Sequence, residues 1–373
     1  ALIEATNDAV MKFADNGAIS VSDAATKVNA DTINAYTTGQ VTLTSVSDTV
    51  ANITLIDGLT TSEVTMAAAT VNVTDAATKA NADTLNGFTT AQVTLTAVQD
   101  TLANITAIDG LTTSEVTMAA ATATITDAGV TKANLDTANG FTTGDVTALT
   151  MSDTRANVDA AHSATGITLA ATNITVTDQV TKSQADAING YTSGQVVLNS
   201  VSATVSDLAL IEATNDAVMK FADDGAISVS DAATKANADT INGYTTGQVT
   251  LTTVEDTLAN ITAIDDITTS EVTMAAANIT VTDQVSKAQA DAVNGFTSGA
   301  VVLNSVSDTV VNLAAIEASN DDVMKFADNG VITVSNAATK ANADTINAYT
   351  TAQVTLSSVS DTLANITAID ALT

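Results

Sequence analysis

Aspartate is the residue whose type and spacing could carry chemistry in this sequence. It follows a short β-branched run at Asp23, Asp48, Asp75, Asp100, Asp178, Asp231, Asp256, Asp283, Asp308 and Asp361. Asp127, Asp153, Ala203 and Asn336 fill the same slot, and successive slots lie 25 to 28 residues apart. Ca²⁺ binds six to eight oxygen ligands, so the ten aspartates named first are candidate calcium ligands if they stack.

A second interpretation of these aspartates is structural. Asp is a favoured N-cap, and its carboxylate suits the positive end of a helix. Asn336 would preserve such a cap, and Ala203 shows that the slot can be left empty. The calcium-binding nonapeptide repeat GGxGxDxUx and the EF-hand loop are both absent. We therefore expect each Asp to cap its own helix, with no other metal site and no cofactor besides the calcium that the alternative would require.

Lysine and threonine also recur at fixed positions. A Lys follows the slot by four residues, with an Asp four residues later, at Lys27, Lys79, Lys182, Lys235, Lys287 and Lys340. This spacing predicts i,i+4 ion pairs on a solvated helix face, with a receptor-binding surface as the alternative. Thr42 and Thr44 recur at strand spacing, which could match an ice lattice, but ordinary strand-surface Thr is the favoured explanation.

No catalytic constellation is visible. His162 is the only histidine, it lies near the only arginine, Arg155, and the chain has no cysteine. This leaves no recognisable triad, no thiolate or histidine metal set and no disulfide. We therefore predict that the protein is not an enzyme.

The composition limits the partners. Lys and Arg total 11 against 42 Asp and Glu, a formal charge of −31, whereas nucleic-acid binding needs a basic face. No apolar run is long enough to span a membrane, so we expect no membrane insertion. The acidic surface would keep the protein soluble and attract cations.

The elements that must position these residues follow from the period. A mean repeat of 26 residues is typical of a solenoid. Each repeat starts with alternating Val, Thr and Ile, which predicts a short strand that pairs with its neighbours in a parallel sheet. The residues after the Asp show helical periodicity.

Two kinds of repeat alternate. Type A reads VSDAATKANADTINGYTTGQ at residues 229–248, and type B reads VEDTLANITAIDDITTSE at residues 254–271. In type A we expect Ala25, Val28, Ile33 and Tyr36 to share the buried face of one helix, with the Gly before the aromatic as a helix stop where it occurs. In type B the three-residue spacing of Val50, Ile53, Ile56 and Leu59 predicts a short helix ending near Gly58, with a 3₁₀ end as the alternative.

The sequence therefore predicts an α/β fold: an elongated right-handed solenoid of about 14 coils, each with short parallel strands and a short helix, with an all-β solenoid as the alternative. Residues 1–373 form one repeat domain. Residues 1–23 reappear at 209–231 with one change, so we expect the chain to be cut mid-coil at both ends, as a fragment of a longer array.

The repeated DTxANI segments, separated by strands rich in Thr and Asp, resemble arrays in large bacterial cell-surface proteins of marine and cyanobacterial kinds, both S-layer-like and adhesin-like. The resemblance implies secretion to the cell surface and a structural or adhesive role. We expect an extracellular fibre, surface-layer or stalk element that self-associates into a filament or lattice. The alternative is an adhesin or binding module, including an ice-binding rod, with calcium or cell-surface glycans as partners.

Overall fold

The computed structural model describes residues 14–59, 63–214, 216–267, 271–319 and 323–370. The chain divides into two compact units, one formed by Ala1–Val176 with Ile188–Val196 and the other by Thr177–Ala187 with Val197–Thr373. Strands and helices alternate in both units, and the strands belong to two parallel sheets. The α/β prediction is confirmed at this level, and the repeated strand–helix units are solenoid-like.

The first sheet holds eight strands and the second holds ten. The strands of the first are β1 (Ile19–Ala25), β2 (Val41–Asp48), β3 (Val64–Thr65), β4 (Thr70–Ala77), β5 (Val93–Asp100), β6 (Val116–Thr117), β7 (Thr122–Ile125) and β8 (Val146–Ala148). The strands of the second are β9 (Thr150–Asp153), β10 (Asn173–Val180), β11 (Val196–Ala203), β12 (Met219–Ala233), β13 (Val249–Asp256), β14 (Val272–Thr273), β15 (Asn278–Val285), β16 (Val301–Asp308), β17 (Met324–Ala338) and β18 (Val354–Val359).

Parallel pairing joins each coil, meaning one strand–helix repeat, to the next. In the first unit, Val41 of β2 lies opposite Val64 of β3, and Ser45 lies opposite Thr70 of β4. The strands are too short to be stable singly, so they depend on this stacking to satisfy their backbone groups.

Fourteen helices connect the strands within the described residues. They are α1 (Lys27–Asn34), α2 (Val50–Asp57), α3 (Lys79–Asn86), α4 (Leu102–Asp109), α5 (Lys132–Asn139), α6 (Arg155–Ser163), α7 (Lys182–Asn189), α8 (Val205–Glu212), α9 (Lys235–Asn242), α10 (Leu258–Asp265), α11 (Lys287–Asn294), α12 (Val310–Glu317), α13 (Lys340–Asn347) and α14 (Leu363–Asp370). The all-β alternative is therefore wrong. None of the described helices is long and apolar enough to cross a bilayer.

The N-cap residue is Thr or Ser, which corrects the expectation that the ladder aspartates cap their own helices. Thr26 caps α1, and its hydroxyl accepts from Asn29 N–H while the Asn29 side chain accepts from Thr26 N–H. Asp23 lies three residues before this cap, inside β1. The helix starts later than predicted because a Thr-x-x-Asn capping box satisfies its first backbone donors.

The core lies between the sheet and the helices. In the second unit, Val249, Leu251 and Val254 of β13 face inward with at most 1% exposure, against Ala238 and Ile241 of α9. The short Ala side chain lets the helix lie close to the sheet. Full burial of a residue such as Ile241 stabilises the fold by roughly 1.5–3 kcal/mol.

Two details of the predicted helices are wrong. Val28 is 71% exposed, because α1 buries Ala30 instead. Gly243 ends α9 at φ −72°, a right-handed conformation that requires no glycine, and Ala35 holds the same position after α1. The type B prediction is confirmed: α2 ends at Asp57 before Gly58, and Leu59 N–H closes it with a bond to Ile56 O.

Candidate functional site: a ladder of carboxylates between coils

A type B aspartate connects two successive coils. Asp256 ends β13, and its Oδ1 accepts from Thr257 N–H and from the Asn260 side chain, both in its own coil, at 2.8 Å. Its Oδ2 accepts from Lys235 N–H at 2.8 Å, 21 residues earlier in the chain. Because Lys235 is the first residue of α9, this carboxylate satisfies a free donor at the N-terminus of the preceding helix.

A type A aspartate serves the preceding helix in the same way. Asp283 lies within β15, and its Oδ1 accepts from Leu258 N–H, the first residue of α10, at 2.8 Å. The two positions differ because Asp283 lies three residues before its N-cap, Ser286, whereas Asp256 directly precedes Thr257. The capping chemistry inferred from the sequence is therefore present, but the helix that receives it belongs to the neighbouring coil.

The same bond recurs through both units, at donor–acceptor distances of 2.6–2.9 Å. Its acceptors, in chain order, are Asp48, Asp75, Asp100, Asp127, Asp153, Asp231, Asp256, Asp283, Asp308, Asn336 and Asp361. We call this set the carboxylate ladder. Of the remaining candidates, Asp23 is exposed in β1 and Asp178 is half-buried in β10.

Hydrogen bonding controls the ionisation of the type B members. Burial alone would raise the pKa of the Asp256 carboxyl, but the bonds from Lys235 N–H, the Asn260 amide and Thr257 N–H outweigh it and hold the pKa below its usual value. The same balance lowers the pKa of Asp48, Asp100, Asp153 and Asp308. The ladder is therefore a row of stably ionised acceptors.

Acidic residues at the C-terminal ends of type B helices behave in the opposite way. Burial raises the pKa of Asp57, and burial together with a nearby carboxylate raises the pKa of Glu212 and Asp265. A negative charge at this end also opposes the helix dipole.

The arrangement of the described aspartates does not resemble a calcium cage. The described residues contain no group of three or more Asp, Glu, His or Cys side chains that could surround one ion. In Asp256, N–H donors already approach both carboxylate oxygens. A calcium ion at this place would have to displace the capping bonds, since it needs the same lone pairs.

The lysine ladder forms the predicted ion pairs. Lys235 Nζ lies 2.6 Å from Asp239, four residues later on α9, and equivalent pairs occur in α1, α3, α5, α7, α11 and α13. The Asp239 side chain is 54% exposed. Each such pair stabilises its helix by a few tenths of a kcal/mol.

Threonines in the TTGQ turn form a second set of contacts between coils, and the sequence analysis did not identify them. Thr245 Oγ1 donates to Gly225 O at 2.6 Å, and Thr246 Oγ1 donates to Asp223 O at 2.8 Å. The Thr44 hydroxyl also bonds inward, to Val21 O. The signal in the sequence was the repeated Thr-Thr pair ahead of each type B strand, at residues 37, 89, 142, 245 and 350.

His162 belongs to an aromatic contact in the first unit. Its ring stacks on Tyr191 at a centroid distance of 3.9 Å. The Tyr191 hydroxyl donates to Asp159, which also pairs with Arg155 at 3.0 Å. Burial, followed by the hydrogen bond to Asp159, raises the pKa of Tyr191. The group fastens α6 to the segment after α7, and it contains no nucleophile paired with a base.

Comparison with known proteins adds no family assignment: no protein-family model matches the chain, and no curated protein sequence matches it.

Proposed function

We propose that this protein is an extracellular structural repeat protein, a right-handed solenoid of about 14 coils that serves as a fibre, surface-layer or stalk element without catalytic activity. The carboxylate ladder is the observation that supports it, because the chain's most regularly spaced charged groups bind the neighbouring coil. The TTGQ hydroxyls do the same. Such a stack gains stability with every nearest-neighbour interface, which suits a load-bearing element.

Self-association into a filament or lattice is part of this proposal, as is a location at the cell surface. The test is immunogold electron microscopy of the producing cells, with an antibody raised against residues 1–373. We expect gold particles on filaments, a lattice or stalks outside the cell. Label confined to the cell interior would overturn the proposed function.

A chelator arm addresses calcium in the same experiment. If the labelled structures dissolve in a calcium chelator and reform on addition of Ca²⁺, the ion holds the assembly together. If they persist, the ladder acts through hydrogen bonds alone. Label on projections that attach the cells to a foreign surface would instead support the adhesin alternative.

A further inference from the structure

The last described coil, β18 with α14, exposes side chains that other coils bury. Ile366 of α14 is 41% exposed, whereas its counterpart Ile261 in α10 is fully buried. Leu356 of β18 is half-buried, whereas Leu251 of β13 is 1% exposed. We call this surface of β18 and α14 the C-terminal face. It presents the apolar pattern that one coil offers to the next coil inside the protein.

This face also carries an unmatched donor. Leu363 is the first residue of α14, and no described residue accepts from its N–H, while the equivalent Leu258 N–H is bound by Asp283. At the other end of the sequence, Asp23 in β1 is an exposed ladder residue to which no described residue donates. Its counterpart Asp75 accepts from Val50 N–H. The two groups are the donor and the acceptor of one further rung.

A junction inside the first unit shows how such surfaces fit. Residues 354–370 differ from residues 41–57 at three positions, and residues 18–34 are closely similar to residues 70–86. Residues 41–57 and 70–86 are packed together, with Ser47 opposite Asn72 and the Asn72 amide bonded to the Ser47 hydroxyl at 3.0 Å. The last and the first described coils therefore have the side chains of a coil pair that already exists.

We propose that the C-terminal face binds the first described coil, β1 with α1, of a second copy of this chain, in the register of the β2–β4 junction. Asp23 of one copy then accepts from Leu363 N–H of the other, and Ser20 lies opposite Ser360. The contact is head-to-tail, so each copy retains one free face of each kind and association can continue. This proposal rests on the proposed structural function and names its partner.

Directed disulfide cross-linking tests the register, because the chain has no cysteine of its own. Opposed residues on neighbouring strands lie about 4.8 Å apart, within the range that a disulfide spans. Chains carrying Ser20→Cys and chains carrying Ser360→Cys, with tags of different mass, are mixed and oxidised. We expect covalent dimers with one chain of each kind, and few from either variant alone.

Two further variants separate this contact from random collision. Ile366→Lys on the Ser360→Cys chain places a charge where the junction would bury it, and should abolish the cross-link without unfolding the free chain, which circular dichroism checks. Asp23→Ala on the Ser20→Cys chain should weaken association about tenfold, which corresponds to 1.4 kcal/mol. Asp145→Ala removes the same charge from an exposed residue elsewhere and should have no effect.

A dimer of two Ser360→Cys chains would show two C-terminal faces together and would overturn the proposal. Absence of mixed dimers in the folded protein would also overturn it. Neither result bears on the cellular location, so the extracellular function would stand or fall on the immunogold experiment alone.

Discussion

At the scale of single residues, the fold depends on a division of work at each helix start. Thr257 caps its own helix, so Asp256 is free to reach Lys235 N–H in the preceding coil. One carboxylate thus serves three donors in two coils. Hydrogen bonds to a charged acceptor are stronger than neutral ones, and these connect successive coils.

Replacing Asp256 by Ala should therefore destabilise the stack where the two coils meet. We expect a loss of about 1–2 kcal/mol, since three donors lose their charged acceptor. Hydrogen exchange of the 235–242 segment should accelerate roughly 5–30-fold. The matched control is Asp239→Ala, which removes an exposed carboxylate from the same helix and should change exchange by less than about threefold. Equal effects of the two variants would contradict a capping role.

The lowered pKa of Asp256 gives its contribution a defined pH dependence. The folded pKa lies below the unfolded value, 3.8, so the stabilisation is complete above that value and is lost as the pH falls through the folded pKa. The stability difference between the wild type and Asp256→Asn should be constant from pH 7 to about 5 and shrink below about 4. Urea titrations of both proteins at each pH measure it. A difference that persists at pH 2 would show that the charge is not its source.

At the scale of elements, the helices are too short to be stable alone. Each has eight or nine residues, and isolated helices below about 12–15 residues are marginal in water. Stability must come from the caps and from the buried side chains. α7 is the exception to the ladder, because Ala203 occupies the slot 21 residues after Lys182 where other type A helices have a carboxylate acceptor.

Restoring that carboxylate should stabilise α7. Ala203→Asp alone puts a second carboxylate beside Asp207, which holds the position that Asn260 has in α10, so the single variant should gain little. Ala203→Asp combined with Asp207→Asn should gain about 1 kcal/mol and slow exchange of the Lys182 amide about fivefold. Asp207→Asn alone is the control. A double variant no more protected than this control would show that the slot in this coil does not face the helix.

The sequence was sufficient to predict the elements, but it did not identify the partners of the ladder. Period-two runs and the helical spacing of Ile53 and Ile56 are local signals, and both produced the expected structures. The donor for Asp283 lies 25 residues earlier, and only the stacking register brings the two together. The assumption that a carboxylate near a helix start caps that same helix explains the error. The Thr-x-x-Asn spacing of Thr26 and Asn29 was the overlooked sign of the true cap.

At the scale of the whole molecule, the formal charge of −31 opposes folding and association. The lysines do not offset it, because each lysine of the ladder is already paired within its own helix. The ladder places further ionised carboxylates along both units. The apolar layers and the bonds between coils must therefore outweigh a repulsion that acts over many residues.

Salt should consequently stabilise the protein through screening. The Debye length falls from about 30 Å at 0.01 M to about 3 Å at 1 M, so Tm should rise over this range and level off. CaCl₂ and MgCl₂ at equal ionic strength should raise Tm equally if both act by screening alone, since N–H donors already approach both oxygens of Asp256. Differential scanning calorimetry measures each curve, with Asp256→Asn as the matched variant. A rise specific to Ca²⁺ in the wild type that disappears in this variant would establish the ladder as a calcium site, at the cost of its capping bonds.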